Sequence, residues 1–308
     1  MRDHFIKELS SLISEFPNII LITGDLGFGV LDDFKESFPN NFINAGVAEQ
    51  NMTGIATGMA LEGKIVFTYS ISNFSTLRCL EQIRNDACYH ELNVNIVSIG
   101  GGFSYGALGI SHHATEDLSI MRSLPDITVV SPSTYWEVQK ATRAIIEDKK
   151  TCYLRIDKSA GKDVSNNPSE TFVLGKPRML IDGNDCTIFV TGGILEEVWD
   201  AHKKLKDLGY NIRIVTIHTL KPFAINAVIS AAEETGGIVT IEENTLNGGL
   251  GSLISEVLLD NGVIPRKFLR IGLGPNFSSI VGSQKYLRKC YGLDSESIVL
   301  KITNLLKS

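Results

Sequence analysis

Short apolar runs alternate with amphipathic stretches along the first half of the chain. Apolar residues at helical spacing predict helices at Ala48–Leu61, Phe74–His90 and Tyr135–Asp148. The apolar runs between them predict strands at Ile19–Thr23, Lys64–Tyr69, Val94–Ile99, Ile127–Ser131 and Cys152–Ile156. Because these strands are apolar almost throughout, they favour a parallel sheet that is covered by helices on both faces. The pattern therefore predicts a doubly wound α/β domain.

A polar segment at Lys158–Glu170 interrupts this alternation, has no periodicity and is typical of a linker. The alternation then starts again, with strands predicted at Thr187–Thr191, Asn211–Thr216, Gly237–Ile241 and Phe268–Ile271. The helices predicted in this half are Leu195–Leu208, Ala224–Glu233 and Leu250–Asp260. A length of 308 residues also suits two domains. We therefore predict an α/β domain at 1–160, a linker at 161–174 and a second α/β domain at 175–308.

Composition narrows the class of protein. Hydrophobic residues make up 43% of the chain and charged residues 21%, which is ordinary for a globular protein. The net charge is −6 and the lysines and arginines are scattered, so we expect no nucleic-acid partner. No run approaches the roughly 18 apolar residues of a membrane span, and the N-terminus lacks the apolar core of a signal peptide. The five cysteines form no C-x-x-C pair and indicate a reducing compartment, so we expect a cytoplasmic protein.

The predicted helix at Ala48–Leu61 has an unusual composition, because it contains Gly54 and Gly58 and opens with Glu49. Each interior glycine costs about 1 kcal/mol relative to alanine. The two glycines share one helix face, where they allow another backbone to approach closely, either within the domain or across a subunit interface. Taken alone, Glu49 suits a capping carboxylate of the first turn as well as a functional acid.

The residues around this helix are similar to those of a known family. "GVAEQNM" (46–52) follows "TGDLG" (23–27), and "YSISNFSTLRCLEQIRND" (69–86) and "GISHHATEDLSIMRSLPDITVVSP" (109–132) come after it. In this order the motifs resemble the pyrimidine-binding domain of the transketolase superfamily, whose members use thiamine diphosphate. "GGILEEVWDAHKKLKDLGYNIRIVTIHTLKPF" (192–223) and "TIEENTLNGGLGS" (240–252) resemble the C-terminal domain of the same superfamily.

The resemblance does not include the N-terminal domain of a whole transketolase. Transketolases usually begin with a domain whose Gly-Asp-Gly motif and downstream asparagine hold Mg²⁺ and the cofactor's diphosphate, and this chain has no such set of residues. The resemblance therefore implies the C-terminal subunit of a split transketolase. It also implies a separate N-terminal partner subunit that holds the Mg²⁺, and a heterotetramer with two copies of each subunit.

The resemblance assigns cofactor roles to several side chains. Glu49 matches the glutamate that activates the cofactor by hydrogen bonding to the ring nitrogen N1′ of its aminopyrimidine. Phe74 matches an aromatic residue that stacks on this ring, although a phenylalanine in a helix is also common in a core. Ile71 and Leu77 stand where neighbouring family residues are aromatic. Asp25 matches an aspartate near the cofactor, but an aspartate after a strand is also common in turns.

Two further residues are expected to face the substrate. His112 matches a histidine in a loop at the reacting centre, where it stabilises a substrate oxygen or moves a proton. Lys158 aligns with a phosphate-binding arginine and keeps its charge without its bidentate geometry. His113 replaces a glutamine of the family, and the adjacent histidines suggest a metal pair as an alternative. Since no carboxylate or cysteine has matching spacing, we predict no metal site in this chain.

These assignments predict an enzyme that transfers a two-carbon ketol unit between sugar-like substrates and is active only with its partner. The alternatives are the β-type subunit of a 2-oxoacid dehydrogenase and an acyl transferase similar to deoxyxylulose-phosphate synthase. The loop at Gly106–Gly109 and the triplet Gly100–Gly102 stand where the family often has a substrate-binding aspartate and histidine. Together with Lys158, they predict a modified or less phosphorylated sugar rather than an ordinary ketose phosphate.

Overall fold

The computed structural model describes residues 1–161 and 170–308, and the strands of these residues form two separate sheets. The strands are β1 (Ile19–Thr23), β2 (Phe42–Asn44), β3 (Ile65–Ile71), β4 (Val94–Ile99), β5 (Ile127–Val130), β6 (Thr151–Ile156), β7 (Arg178–Ile181), β8 (Cys186–Val190), β9 (Ile212–Thr216), β10 (Thr219–Lys221), β11 (Ile238–Thr245) and β12 (Phe268–Leu273). The α-helices are α1 (Arg2–Leu12), α2 (Asp32–Ser37), α3 (Glu49–Leu61), α4 (Ser72–Ser75), α5 (Leu80–Gln82), α6 (Asp117–Ser123), α7 (Tyr135–Asp148), α8 (Leu195–Asp207), α9 (Ile225–Glu234), α10 (Leu250–Asp260), α11 (Gln284–Cys290) and α12 (Ser295–Lys307).

Most neighbouring strands in both sheets are parallel. The first sheet has the order β10-β5-β6-β4-β3-β1-β2, and only the short β10 runs antiparallel to its neighbour β5. The second sheet has the order β12-β11-β8-β9-β7, and only the edge strand β7 is antiparallel to its neighbour β9. With helices between the parallel strands, the predicted doubly wound α/β fold is confirmed.

The arrangement of the first sheet places several loops along one edge. Strands β1, β3, β4 and β6 run in the same direction, so their carboxyl ends lie together. The segments after them begin at Gly24, Ser72, Gly100 and Asp157. Helix α3 begins at the same edge, because it follows β2, the parallel neighbour of β1. Ligands of open α/β sheets bind outside the carboxyl ends of the strands, so a site is expected here.

The first sheet is buried on both faces. All five residues of β1 are buried, and Ile19 and Leu21 pack with α1 and α7 on one face. On the other face, Ile20 and Ile22 belong to an apolar cluster that also contains Ile254 of α10. The two halves of the chain therefore share a continuous core on this face, and β10 of the second half also joins the first sheet.

The segment Phe74–His90 differs from the single helix that its pattern predicts. It divides into the end of α4, a 3₁₀ turn at Leu77–Cys79, α5 and a π-helix at Ile83–Cys88. Near its start, Thr76 Oγ1 donates a hydrogen bond to the carbonyl of Ser72 at 2.6 Å. Hydroxyl groups that bond to nearby carbonyls compete with regular helix geometry, which accounts for the break.

The predicted linker is described only in part. Residues 162–169 lie outside the described residues. Beyond them, the Glu170 carboxylate accepts hydrogen bonds from Arg178 at 2.6 and 3.1 Å, which ties this end of the segment to β7. The boundaries 160 and 175 stay a prediction. Among the described residues, no helix is both long and apolar enough to cross a membrane.

Candidate active site

Glu49 is a buried acid at the first residue of α3, with only 3% of its side chain exposed. The loop after β1 lies close to it, since a methyl group added at Gly24 would stand 3.6 Å from Glu49 Cγ. The Glu49 carboxylate accepts a hydrogen bond from Arg78 Nη1 at 2.8 Å. Because the carboxylate is directed to another side chain, the structure does not support the interpretation of Glu49 as a helix cap.

Arg78 connects Glu49 with the aromatic ring of Phe74. Its guanidinium carbon lies over the Phe74 ring, 4.7 Å from the centroid. The arginine side chain is 48% exposed, in contrast to the buried glutamate. A planar cation therefore lies between a buried carboxylate and an aromatic face, at the edge of the sheet where the site is expected.

Phe74 contacts the ring of His112 on the loop after β4. The two ring centroids are 5.1 Å apart and the planes meet at 69°, so one ring presents its edge to the other. Burial lowers the pKa of His112, and the nearby His113 lowers it further. The lowered pKa favours the neutral imidazole, which is able to accept or donate a proton. Its Nδ1 lies 2.9 Å from Ser111 Oγ, which orients the ring.

The loop that carries His112 is held by one amide side chain. Asn73 Nδ2 donates to the carbonyl of His113 at 2.6 Å and also lies 3.4 and 3.3 Å from the carbonyls of Ile110 and Ser111. Asn73 precedes Phe74 in the chain, so it fixes the histidine loop directly beside the Phe74 ring.

His113 points away from its neighbour His112. Its buried ring packs edge-on against Phe103, with centroids 5.1 Å apart, and its Nε2 lies 3.1 Å from the carbonyl oxygen of Gly106. The two imidazoles therefore do not converge on a common position. Within residues 1–161 and 170–308, no three His, Cys, Asp or Glu side chains are grouped so that they could hold a metal ion.

Lys158 and Tyr105 extend the site on the other side of His112. The Lys158 ammonium group lies over the Tyr105 ring, 3.7 Å from its centroid, and the Tyr105 ring is 6.3 Å from that of His112. Burial lowers the pKa of Lys158, and nearby Arg2 contributes to this. Gly100 makes room for the tyrosine, because a methyl group there would stand 2.2 Å from a ring carbon.

Asp25 and Ile71 lie at the same edge but outside the series of contacts described above. Asp25 is exposed and has a φ of 57°, and its carboxylate accepts a hydrogen bond from Asn44 Nδ2 at 3.0 Å. Its backbone N–H donates to Asn44 Oδ1, also at 3.0 Å, so Asp25 closes the turn after β1. Ile71 ends β3, where it pairs in register with Ile99 of β4. Their roles in cofactor binding stay predictions.

The glycine face of α3 is open. A methyl group added at Gly54 or Gly58 would meet nothing within 4 Å, so these glycines do not serve close packing inside the domain. Two large apolar side chains at the ends of the helix, Val47 and Leu61, are 75% and 61% exposed. Among the described residues, this face therefore has no contact that accounts for its glycines.

Three side chains that build the site were not singled out by the sequence: Asn73, Arg78 and Tyr105. Asn73 and Arg78 belong to a motif quoted above, but neither has a spacing that indicates chemistry. The one available signal for Arg78 is a cation whose neighbours Leu77, Cys79 and Leu80 are apolar, in a segment whose pattern predicts a helix. Tyr105 follows the glycine triplet, and the space that Gly100 leaves for its ring is visible only in the structure.

Comparison with known proteins identifies the class to which this fold and site belong. The family model for the transketolase pyrimidine-binding domain matches residues 1–163, and the model for the transketolase C-terminal domain matches residues 175–298. The chain therefore belongs to the transketolase family, which depends on thiamine diphosphate.

Its relatives include single subunits of about the same length. A protein of Methanocaldococcus jannaschii, provisionally assigned as a transketolase C-terminal section, is 38% identical over 100% of this chain and 96% of its own length. One subunit of the apulose-4-phosphate transketolase of Phocaeicola vulgatus is 35% identical over 96% of this chain and 94% of its own. The chain is also 31% identical to a 1-deoxy-D-xylulose-5-phosphate synthase from Syntrophotalea carbinolica, of which it spans 47%.

A solved structure shows the same two-domain arrangement. It is a split-gene transketolase described as an inactive β4 tetramer, and it superposes with a TM-score of 0.87 at 32% identity. The superposition covers 99% of this chain and 97% of that one.

The residues at the edge of the first sheet fit the pyrimidine half of the family cofactor. The planar guanidinium of Arg78 already contacts both the buried Glu49 carboxylate and the aromatic face of Phe74. An aminopyrimidine is likewise planar and forms hydrogen bonds along its rim. The edge therefore provides both kinds of contact that such a ring requires.

Proposed function

We propose that this chain is the C-terminal subunit of a split, thiamine diphosphate-dependent transketolase that moves a two-carbon ketol unit between sugar-like substrates. The observation that carries the proposal is the buried Glu49 carboxylate at the carboxyl edge of the sheet, where Arg78 connects it with Phe74 and Phe74 contacts His112. When bound, the cofactor would supply the nucleophilic carbon that the transfer of a two-carbon unit requires.

The side chains of this chain would hold the aminopyrimidine ring of the cofactor and move protons at its N1′ atom and at the substrate oxygen. Glu49 would share a proton with the ring nitrogen N1′, because its carboxylate is buried and directed into the site. Phe74 would stack on the aminopyrimidine, and Ile71 and Asp25 would help to hold the cofactor. His112 would donate or accept a proton at the substrate oxygen, since its lowered pKa favours the neutral imidazole. Lys158 would attract an anionic group of the substrate.

A second subunit is part of this proposal. The chain shows no Gly-Asp-Gly motif, so the diphosphate and Mg²⁺ would be held by an N-terminal subunit that carries it. The open glycine face of α3 and Phe28, which lies in the segment after β1 and is 78% exposed, would be covered in the complex. We propose a cytoplasmic heterotetramer with two copies of each subunit.

The substrate is proposed to be a modified sugar. A relative is named for apulose 4-phosphate, and here the loop at Gly106–Gly109 provides no carboxylate for a substrate hydroxyl. The similarity to deoxyxylulose-phosphate synthases favours acyl transfer to an aldehyde as the second candidate reaction. In both reactions Glu49 would have the same task, and the acceptor and donor would differ.

Reconstitution with the N-terminal subunit tests the proposal. Calorimetry should show tight, Mg²⁺-dependent binding of thiamine diphosphate by the mixture and weak binding by this chain alone. Tight binding by this chain alone would contradict the division of the site between two subunits. The alternative of a β-type dehydrogenase subunit is tested by adding a 2-oxoacid and an artificial electron acceptor to the complex. A dehydrogenase should reduce the acceptor, and a transketolase should not.

The Glu49→Gln variant tests the central residue. In the reconstituted complex it should slow exchange of the cofactor C2 proton with deuterated solvent, followed by NMR, by at least about 100-fold. Glu62→Gln is the matched control, because Glu62 is an exposed acid at the other end of α3. Exchange at the wild-type rate in Glu49→Gln would show that Glu49 has another role.

Assays with xylulose 5-phosphate and ribose 5-phosphate test the substrate. Turnover with kcat/KM of about 10⁴ M⁻¹s⁻¹ or more would contradict the modified-sugar proposal. Turnover of pyruvate with glyceraldehyde 3-phosphate would instead favour the synthase-like reaction.

A further inference from the structure

Arg78 contacts both groups that the proposed function assigns to the cofactor ring. Its Nη1 donates to Glu49 Oε2 at 2.8 Å, and its guanidinium carbon lies 4.7 Å from the centroid of Phe74. Arginine is the side chain that stacks most readily on aromatic faces while its N–H groups bind a carboxylate in the same plane. One planar group therefore uses the carboxylate and the aromatic face at the same time.

We propose that the Arg78 side chain is a placeholder for the aminopyrimidine. In the chain without cofactor, the guanidinium occupies the position of this ring, and it must swing out before the cofactor binds. Arg78 has this role only if the chain is the transketolase subunit proposed above. Because the guanidinium already uses an oxygen of the Glu49 carboxylate, a ring bound to the same oxygen has to displace it.

The burial of the two partners decides which of them moves. Glu49 is 3% exposed and fixed at the first turn of α3, whereas the Arg78 side chain is 48% exposed. A cation that is already half exposed becomes fully hydrated when it leaves, so its release costs little. A buried carboxylate without a partner is costly, so the arginine leaves only as another hydrogen-bonding group arrives.

The backbone around Arg78 is held in place, so the change is confined to the side chain. Thr76 Oγ1 donates to the Ser72 carbonyl at 2.6 Å, and Cys79 Sγ lies 3.3 Å from the Phe74 carbonyl. Cys79 is also fully buried on the inner side of the turn. Rotation about the arginine side-chain bonds is therefore enough to open the space beside the Phe74 ring, without movement of the ring itself.

The consequence is a built-in penalty on cofactor binding that also protects the empty site. Without the cofactor, the guanidinium neutralises a buried charge and covers an aromatic face that would otherwise be exposed to solvent. The contacts that the ring has to replace are one half-exposed ion pair and one cation–π contact, which together correspond to roughly a tenfold change in affinity.

Titration with 4-amino-5-hydroxymethyl-2-methylpyrimidine tests this role, because this probe carries the cofactor ring without its diphosphate. The isolated chain is titrated by calorimetry as wild type, Arg78→Gln and Arg84→Gln. Arg84 is the matched control, since it is exposed in the following π-helix and its guanidinium bonds only to the side chain of the adjacent Asn85 among the contacts described. We expect Arg78→Gln to bind the probe about tenfold more tightly than wild type, and Arg84→Gln to bind it as wild type does.

A second measurement follows the arginine directly. In the ¹⁵N spectrum of the wild-type chain, the Arg78 Nε–H signal, assigned by its loss in Arg78→Lys, should move toward the position of a free guanidinium as the probe saturates the site. Equal or weaker probe binding by Arg78→Gln, in a variant whose circular dichroism is that of wild type, would overturn the proposal. A raised KM for an anionic substrate with unchanged affinity for the ring would also overturn it and place Arg78 at the substrate.

Failure of the placeholder is distinguishable from failure of the proposed function. If the reconstituted complex binds thiamine diphosphate and loses C2 proton exchange in Glu49→Gln, the function stands whatever Arg78→Gln does to probe affinity. If the complex binds no thiamine diphosphate, the proposed function fails, and the placeholder fails with it.

Discussion

Arg288 joins the two halves of the chain, because it binds Ser159 as well as Glu243 and Glu196. Replacing it by methionine measures what this junction contributes to stability. The arginine side chain is 1% exposed and forms an ion pair with Glu196. Its Nε donates a hydrogen bond to Glu243 Oε2 at 2.6 Å, and its Nη2 donates one to Ser159 Oγ at 2.9 Å. Glu243 is 2% exposed and also accepts the backbone N–H of Phe103 at 2.6 Å. Methionine keeps the apolar stem but leaves Glu243 as a buried carboxylate without its cation, which costs about 3–5 kcal/mol.

Urea unfolding at pH 7 is the assay, followed by the fluorescence of the two tryptophans, Trp136 in α7 and Trp199 in α8. Arg213→Met is the matched control, since its partners Asp182 and Glu234 are 70% and 54% exposed, and its loss should cost less than about 1 kcal/mol.

The Arg288→Met/Glu243→Gln double variant should be less destabilised than the sum of the single variants, by about 0.5–3 kcal/mol. A loss below about 1 kcal/mol in Arg288→Met, or strict additivity in the double variant, would refute the reasoning. Either result would mean that the buried Glu243 does not depend on its cation.

Three further predictions concern single residues. Because burial lowers the pKa of His112, the acid limb of kcat/KM in the reconstituted complex should lie below pH 6.5 and vanish in His112→Asn, and an unchanged limb would exclude His112. Gly100→Ala should cost roughly 1–3 kcal/mol in urea unfolding, because its methyl group would stand 2.2 Å from the Tyr105 ring at a φ of 87°, whereas Gly29→Ala at a φ of 74° meets nothing within 4 Å and should cost less. Burial lowers the pKa of His218 to about 4, so the unfolded state takes up a proton below pH 6.5 that the folded state does not. Stability from His218 is therefore present above pH 6.5 and lost toward pH 4, by roughly 3 kcal/mol, and His218→Gln should flatten this slope in urea midpoints.

Strands that are buried along their whole length, and helices that bury one face, were predictable from the sequence. The structure places β1 and β4 at the residues that the apolar runs predict, and α7 and α10 likewise begin and end as predicted. In each of these elements the hydrophobic pattern and the chain length are sufficient, because burial of the same side chains is what stabilises the element.

Elements that depend on a distant partner were not predictable in this way. β10 has only three residues, and it is a strand because Thr219 and Lys221 pair with β5 of the first sheet. β7 is an edge strand whose burial is mixed, so its pattern resembles that of a loop. The break at Thr76 depends on a hydroxyl bond within one turn, which competes with a helical pattern that is otherwise complete.

The contacts of the candidate site follow the order of the strands, and this order is what a motif does not contain. In space β2, β1, β3, β4 and β6 are successive neighbours. Along the same direction, Glu49 follows β2, Phe74 follows β3, His112 and Tyr105 follow β4, and Lys158 follows β6. Residues after adjacent strands contact one another, as Phe74 with His112 and Tyr105 with Lys158. The motifs identified four of these side chains, but only the parallel register of the sheet decides which of them share a contact, and so which can act on one bound molecule.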